Sequence, residues 1–119
     1  MWSLSWVKDT AGDWLQFETF AGLESVKTVG VYIIWHTGQN PWTVYIGQGD
    51  IKNRLTSDRG DQRILAHRYG SALRVTWAGV VLAPVRDGIE RYLANELKPL
   101  VGEKHPDVLP IPVKFPWAA

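Results

Sequence analysis

Apolar and polar positions alternate most clearly in two stretches of this chain, "VGVYIIW" at 29–35 and "PWTVYIG" at 41–47. Both are rich in β-branched and aromatic residues, and the polar segment "HTGQN" separates them, so the pattern predicts two strands. Strands joined by so short a connection run antiparallel. An even-length loop centred between Gly38 and Gln39 pairs residues whose numbers sum to 77, which sets Tyr32 opposite Tyr45. Alternation then gathers Val31, Ile33, Trp35, Trp42, Val44 and Ile46 on one apolar face. Tyr32, Ile34, His36, Thr43 and Tyr45 share the other, with the two phenols close together. An aromatic cross-strand pair that stabilises the sheet is one reading of the tyrosines. Gly30 and Gly47 need a separate reason, because glycine weakens a strand unless something approaches closely; the expectation is a ligand backbone or phosphate.

The remaining elements follow from period and punctuation. "WLQFETF" alternates and reads as a strand or a short helix. "GDIKNRLTSD" predicts a helix capped by Asp50, with Ile51 and Leu55 on one face. "RGDQRILAHRYG" predicts a second short helix, capped by Asp61 and ended by Gly70. "ALRVTWAGVVLA" reads as a third strand. "VRDGIERYLANELKPLVG" predicts the longest helix, with Ile89, Leu93 and Leu97 as its core stripe and Pro99 at its end. Gly88 is a cost within it. The tail "HPDVLPIPVKFPWAA" is proline-rich and expected to lie extended on the body. The order β–β–α–α–β–α predicts an α+β class, with a small central three-stranded, mainly antiparallel sheet flanked by helices.

Length and composition narrow the function classes. The chain has 119 residues, ordinary globular content and no cysteine, which excludes disulfides and thiolate zinc sites. The expectation is a single domain over 1–119, cytoplasmic, with no secretory signal and no membrane span. Net charge is +1, but residues 50–74 carry six Lys and Arg against three Asp, a net of +3. That segment is either a footprint for a phosphate ligand or a solvated helix face. Seven tryptophans are many for this length; Trp2, Trp6 and Trp14 are read as hydrophobic covering of the sheet.

"GVY" at 30–32 followed by "YIG" at 45–47 resembles the signature of the GIY-YIG endonuclease family. Arg54 in "GDIKNRL" stands where that family has an arginine on the helix after its second tripeptide. "ERYLANELKP" at 90–99 fits the pattern E-x-x-L-x-x-x-L-x-P around the family's metal-binding glutamate, which selects Glu90. The resemblance covers a core of 28–102, leaving an N-terminal extension, 1–27, and the proline-rich tail, 103–119. It implies a metal-dependent endonuclease that hydrolyses phosphodiester bonds in nucleic acid, with DNA as the expected substrate. The implied catalytic residues are Tyr32, Tyr45, Arg54 and Glu90, with one Mg²⁺ or Mn²⁺ at Glu90. Three positions depart from the family pattern: Gln48 where some members have Lys, Asp58 where many have His or Tyr, and Gly102 where Asn is frequent. His67 or Tyr69 is the auxiliary group expected from the second helix.

Each residue type suits its role. Mg²⁺ takes carboxylate and water ligands and is often held by one or two carboxylates plus phosphate oxygens. The competing role for Glu90 is a helix-surface ion pair with Arg86 or Arg91. Arg54 offers planar, bidentate donors to a phosphate. Tyr32 is expected to activate the water and Tyr45 to position it, although either phenol, with a reference pKa near 10, needs help to act as a base. Lys52, Arg59, Arg63 and Arg68 are expected to contact the nucleic-acid backbone. A homodimer or a partner protein would supply further affinity. The alternative is a catalytically impaired nucleic-acid-binding or protein-interaction module with the same fold.

Overall fold

A computed structural model describes residues 1–37, 42–68, 70, 72–102 and 104–117. Its elements are β1 (Leu15–Gln16), a 3-10 turn at Leu23–Ser25, β2 (Val29–His36), β3 (Trp42–Asp50), α1 (Ile51–Asp58), α2 (Gln62–Leu65), β4 (Leu73–Gly79) and α3 (Ala83–Leu97). The class is α+β, as the pattern predicts. The sheet has four strands rather than three, in the order β1-β4-β2-β3, and every pairing is antiparallel. The added strand is the two-residue β1, which lies on the outer edge of β4. Its neighbour Phe17 is fully buried, so the alternation of "WLQFETF" becomes strand only at its start.

The hairpin register differs from the expectation. Tyr32 pairs with Gly47 and Tyr45 with Ile34, so the numbers sum to 79. A displacement of two residues leaves every side chain on its original face, and a pattern of period two cannot distinguish the two registers. Toward the turn the register shifts again between Ile34 and Trp35: Trp35 pairs with Thr43, and His36 with Trp42. Val44 is the extra residue of this bulge and joins the cluster of Tyr32 and Ile34 instead of that of Ile46. The loop centre at Gly38 and Gln39 lies outside the described residues.

Both faces of the sheet are core. Under α1, Tyr32 and Ile34 pack with Phe17, Ile51, Leu55 and Val75. Under α3, Val31, Ile33 and Ile46 pack with Ile89 and Leu93. The tyrosine face is therefore not the open one. The strand glycines have an internal reason as well. A Cβ on Gly47 would lie 2.5 Å from Tyr32 Cζ, because the Tyr32 ring crosses its cross-strand partner. A Cβ on Gly30 would lie 2.8 Å from the carbonyl carbon of Ala78 on β4. The protein's own groups already make a close approach at both glycines.

The helices start where their caps predict. Asp50 accepts from Asn53 N at 3.0 Å, and Asp61 accepts from Arg63 N at 2.9 Å. The second helix is a single turn ending at Leu65, well before Gly70. The third opens at Ala83, with Pro84 in its first turn, and closes at Lys98, whose φ of 49° is left-handed; Pro99 follows. Gly88 has a packing reason: a Cβ there would meet Ile111 Cγ1 at 2.5 Å. The tail is extended and docked. Ile111 N donates to Gly88 O (2.9 Å), Lys114 N donates to Trp2 O (2.8 Å), and Val113 forms an isolated parallel bridge with Trp2. Among the described residues no helix is long and apolar enough to cross a membrane.

Candidate functional site

Three elements and the segment after α3 meet at the outer edge of β3. They enclose a cavity of about 240 Å³ lined by Tyr45 from β3, Arg54 from α1, Glu90 from α3, and Gly102, Lys104 and His105 from the following segment. The elements explain the convergence. Gln48 and Gly49 lead β3 into the Asp50 cap, so Arg54 comes one turn into α1 and reaches back along the strand. Arg54 Nη2 donates to the Tyr45 phenol at 3.3 Å. Glu90 sits in the middle of α3 on the side that faces β3, one residue past the core position Ile89. The segment after α3 is fixed along the strand edge, since Leu100 N donates to Thr43 O (3.1 Å) and Val101 N to Val44 O (2.9 Å). Gly102, at φ 102°, lets it pass over Tyr45, where a Cβ would lie 3.3 Å from the ring.

Of the four expected catalytic residues, Tyr45, Arg54 and Glu90 line this cavity and Tyr32 does not. Tyr32 is fully buried beneath it, with its ring 6.0 Å from that of Tyr45. Its phenol donates to Asp58 Oδ2 at 2.6 Å. Burial, reinforced by the adjacent Asp58 carboxylate, pushes the Tyr32 phenol far above its ordinary value. Arg54, which lines the cavity, opposes that rise. In this structure Tyr32 covers Gly47 and donates to Asp58 rather than lining the cavity. Asp58, the residue that departs from the family pattern, is its partner; burial raises that carboxylate too, while the Tyr32 bond and Arg54 pull it down.

Glu90 is 7% exposed, and burial raises its carboxyl, with His105 and Arg54 opposing. Its partner is neither Arg86 nor Arg91 but His105, whose Nδ1 lies 2.9 Å from Glu90 Oε2. Arg86 instead reaches Gln48 Oε1 (3.0 Å) and the carbonyls of Val80 and Val81. Gln48 also bonds Asp87 and so ties β3 to α3. Burial raises Tyr45 first, Asp58 adds to it, and Arg54 opposes.

The basic residues divide. Lys52 is exposed on α1. Arg59 is committed internally: Nε and Nη2 donate to the carbonyls of Phe17 and Phe20, and its guanidinium lies 4.7 Å from the Phe20 ring centroid. Arg63 pairs with Asp61 at 2.9 Å and Arg68 with Glu18 at 3.1 Å. Arg63 and Arg68 remain more than half exposed in these surface pairs, so of the four only Arg59 is committed to the protein's interior. His67 does not line the cavity, and Tyr69 lies outside the described residues. The cations at the cavity are Arg54 and Lys104.

The residues that sequence reasoning missed are His105, Lys104 and Asp58 as a buried acceptor. Nothing in the order of motifs brings His105 to Glu90, because the tail that carries it is irregular. Among the described residues no three His, Cys, Asp or Glu side chains form a metal-ligand group. The donor set present is one carboxylate braced by an imidazole beside a cavity with room for waters. That fits a hydrated divalent ion of the magnesium type and not a closed zinc site. No family model, curated protein or solved structure matches the chain.

Proposed function

We propose that this chain is a GIY-YIG-like nuclease domain that hydrolyses phosphodiester bonds in nucleic acid, DNA first, with one divalent ion at Glu90. The observation that carries the reading is the meeting of Tyr45, Arg54 and Glu90, from three different elements, on one cavity. Arg54 binds the non-bridging oxygens of the scissile phosphate with its guanidinium fork. Tyr45, already bonded to Arg54, orients the phosphate or the attacking water through its hydroxyl. Glu90 holds the ion, and His105 fixes the rotamer of that carboxylate. A bound Mg²⁺ or Mn²⁺ would stabilise negative charge on the phosphate and the leaving oxygen. Lys104 draws the anionic backbone toward the cavity.

The test is supercoiled-plasmid nicking with Mg²⁺ or Mn²⁺. Wild type is expected to nick, and Glu90→Gln and Arg54→Ala to lose the activity. Arg54→Lys should not restore it, because an ammonium lacks the bidentate fork. Retention of DNA without cleavage under either metal would support the second reading, a binding module with the same fold. The observation favouring that reading is the burial of Tyr32 against Asp58, which leaves Tyr45 as the phenol lining the cavity.

A further inference from the structure

A second cavity of about 480 Å³ lies where β3 begins and α3 ends. Four of the seven tryptophans line it: Trp14, Trp35, Trp42 and Trp117. Trp35 forms the floor and is 6% exposed, with Trp14 edge-on at 5.5 Å and Trp117 edge-on at 5.2 Å between ring centroids. Trp42 and Trp117 are 47% and 45% exposed. Each also has a ring neighbour, His36 at 6.4 Å from Trp42 and Phe115 at 6.3 Å from Trp117, so about half of each side chain borders a cavity within the size range of ligand sites. The polar lining is sparse: Glu96 and Lys98 at the end of α3, and Thr43.

This cavity neighbours the candidate site, and the two share no lining residue. The segment from Lys98 to Gly102 borders both, fastened to β3 through Thr43 and Val44. Thr43 borders the tryptophan cavity and Tyr45 the other, two residues apart on one strand, or about 7 Å. Along α3, Glu90 and Leu97 border the two cavities seven residues apart, about 10 Å. We infer that the tryptophan cavity takes an unpaired base of the nucleic-acid strand whose phosphate lies at Arg54 and Glu90. This rests on the nuclease reading above for its placement and names the substrate class: single-stranded or branched nucleic acid rather than plain duplex. Every base has a π face, so indole stacking accepts any sequence. Glu96 is placed to accept from an exocyclic amino group, as a carboxylate does from cytosine N4. Lys98 and Lys104 supply positive charge on the path between the cavities.

The experiment is binding of a short single-stranded oligo(dT), and of a matching duplex, to the full chain in EDTA. It is read by fluorescence anisotropy and tryptophan quenching. Trp42→Ala and Trp117→Ala are each expected to weaken single-strand binding by about 5- to 150-fold, the stacking of one base. Duplex binding should be unchanged, and Trp42→Phe should restore part of the loss. Fluorine-labelled tryptophan in the wild-type chain gives an independent readout: the Trp42 and Trp117 resonances should shift with oligo(dT). Equal single-strand binding by wild type and both alanine variants, or unmoved resonances, overturns the inference and leaves plasmid cleavage untouched. Dimerisation that depends on Trp42 without DNA also overturns it, making the cavity a contact between two copies. Single-strand binding through Trp42 and Trp117 in a protein that cleaves nothing under either metal would instead sink the nuclease reading and keep this one.

Discussion

Replacing Tyr32 with Phe separates the structural role of this tyrosine from a catalytic one. The substitution keeps the ring that covers Gly47 and removes only the hydroxyl that donates to Asp58 at 2.6 Å. Asp58 is 7% exposed, so its carboxylate loses its buried donor without gaining water. Leaving such a group unsatisfied costs about 1–3 kcal/mol. The loss has a pH signature at both ends. Tyr32 has a folded pKa raised by burial, so its contribution is complete below the unfolded value near 10 and is lost as pH rises above it. In that range wild type should lose about 1.4 kcal/mol per pH unit from this group, and the variant should lack that slope. Asp58 also has a raised folded pKa, so its contribution is complete below its unfolded value near 4 and is lost as pH rises. The Tyr32 bond lowers the Asp58 pKa, so its removal raises that pKa further and enlarges the loss toward neutrality. The difference between wild type and variant should therefore grow as pH rises above about 4 and shrink above about 10. Urea denaturation at a series of pH values reads it directly, with plasmid nicking measured on the same preparations at a temperature where both are folded. A difference below about 0.5 kcal/mol at neutrality, with nicking abolished, would refute the structural assignment and return Tyr32 to the chemistry.

His105→Ala should weaken Mn²⁺ binding by about 10- to 100-fold, read by titration calorimetry, while leaving oligonucleotide binding in EDTA unchanged; an unchanged metal affinity would remove His105 from the site. Gly47→Ala should cost about 1–3 kcal/mol by pressing a methyl group into the Tyr32 ring, and Tyr32→Leu should relieve part of it in a double-mutant cycle; simple additivity would argue against that contact. Gly88→Ala should gain helix propensity of about 1 kcal/mol yet loosen the tail at Ile111, read as faster proteolysis after residue 102. Arg59→Ala should lower the melting temperature by several degrees and leave DNA affinity unchanged, since its donors serve Phe17 and Phe20; a DNA-affinity loss with normal stability would restore it to the interface.

The elements with strong local signals were legible. The hairpin strands, the Asp50 and Asp61 caps, the core stripe of α3 and the extended tail all follow from period, capping and proline. Register was not, because a displacement of two residues preserves every face and its cost lies in contacts such as Tyr32 over Gly47. The strand β1 was only half legible, since two residues carry too short an alternation to separate strand from helix. For the site, three of the residues that the motif order singles out, on β3, α1 and α3, line one cavity, and each stands on a regular element. The place of Tyr32 outside that lining was not legible, because burial on the second face depends on α1 and Phe17 covering it. The motif order missed His105 because tertiary clamping, not a local pattern, sets where an irregular segment runs.

The bridge between Trp2 and Val113 joins regions that are far apart in sequence order. The segment carrying His105 is held before it by Val101 on Val44, and after it by Ile111 on Gly88 and Lys114 on Trp2. One of its anchors thus belongs to the first few residues of the chain. Shortening or tagging the protein near Trp2 acts, through Lys114 and the tail, on the imidazole that braces Glu90. During synthesis, all of the clamps close only after residue 114 has emerged. The position of His105 is therefore set last, after the sheet and α3 have formed around Glu90.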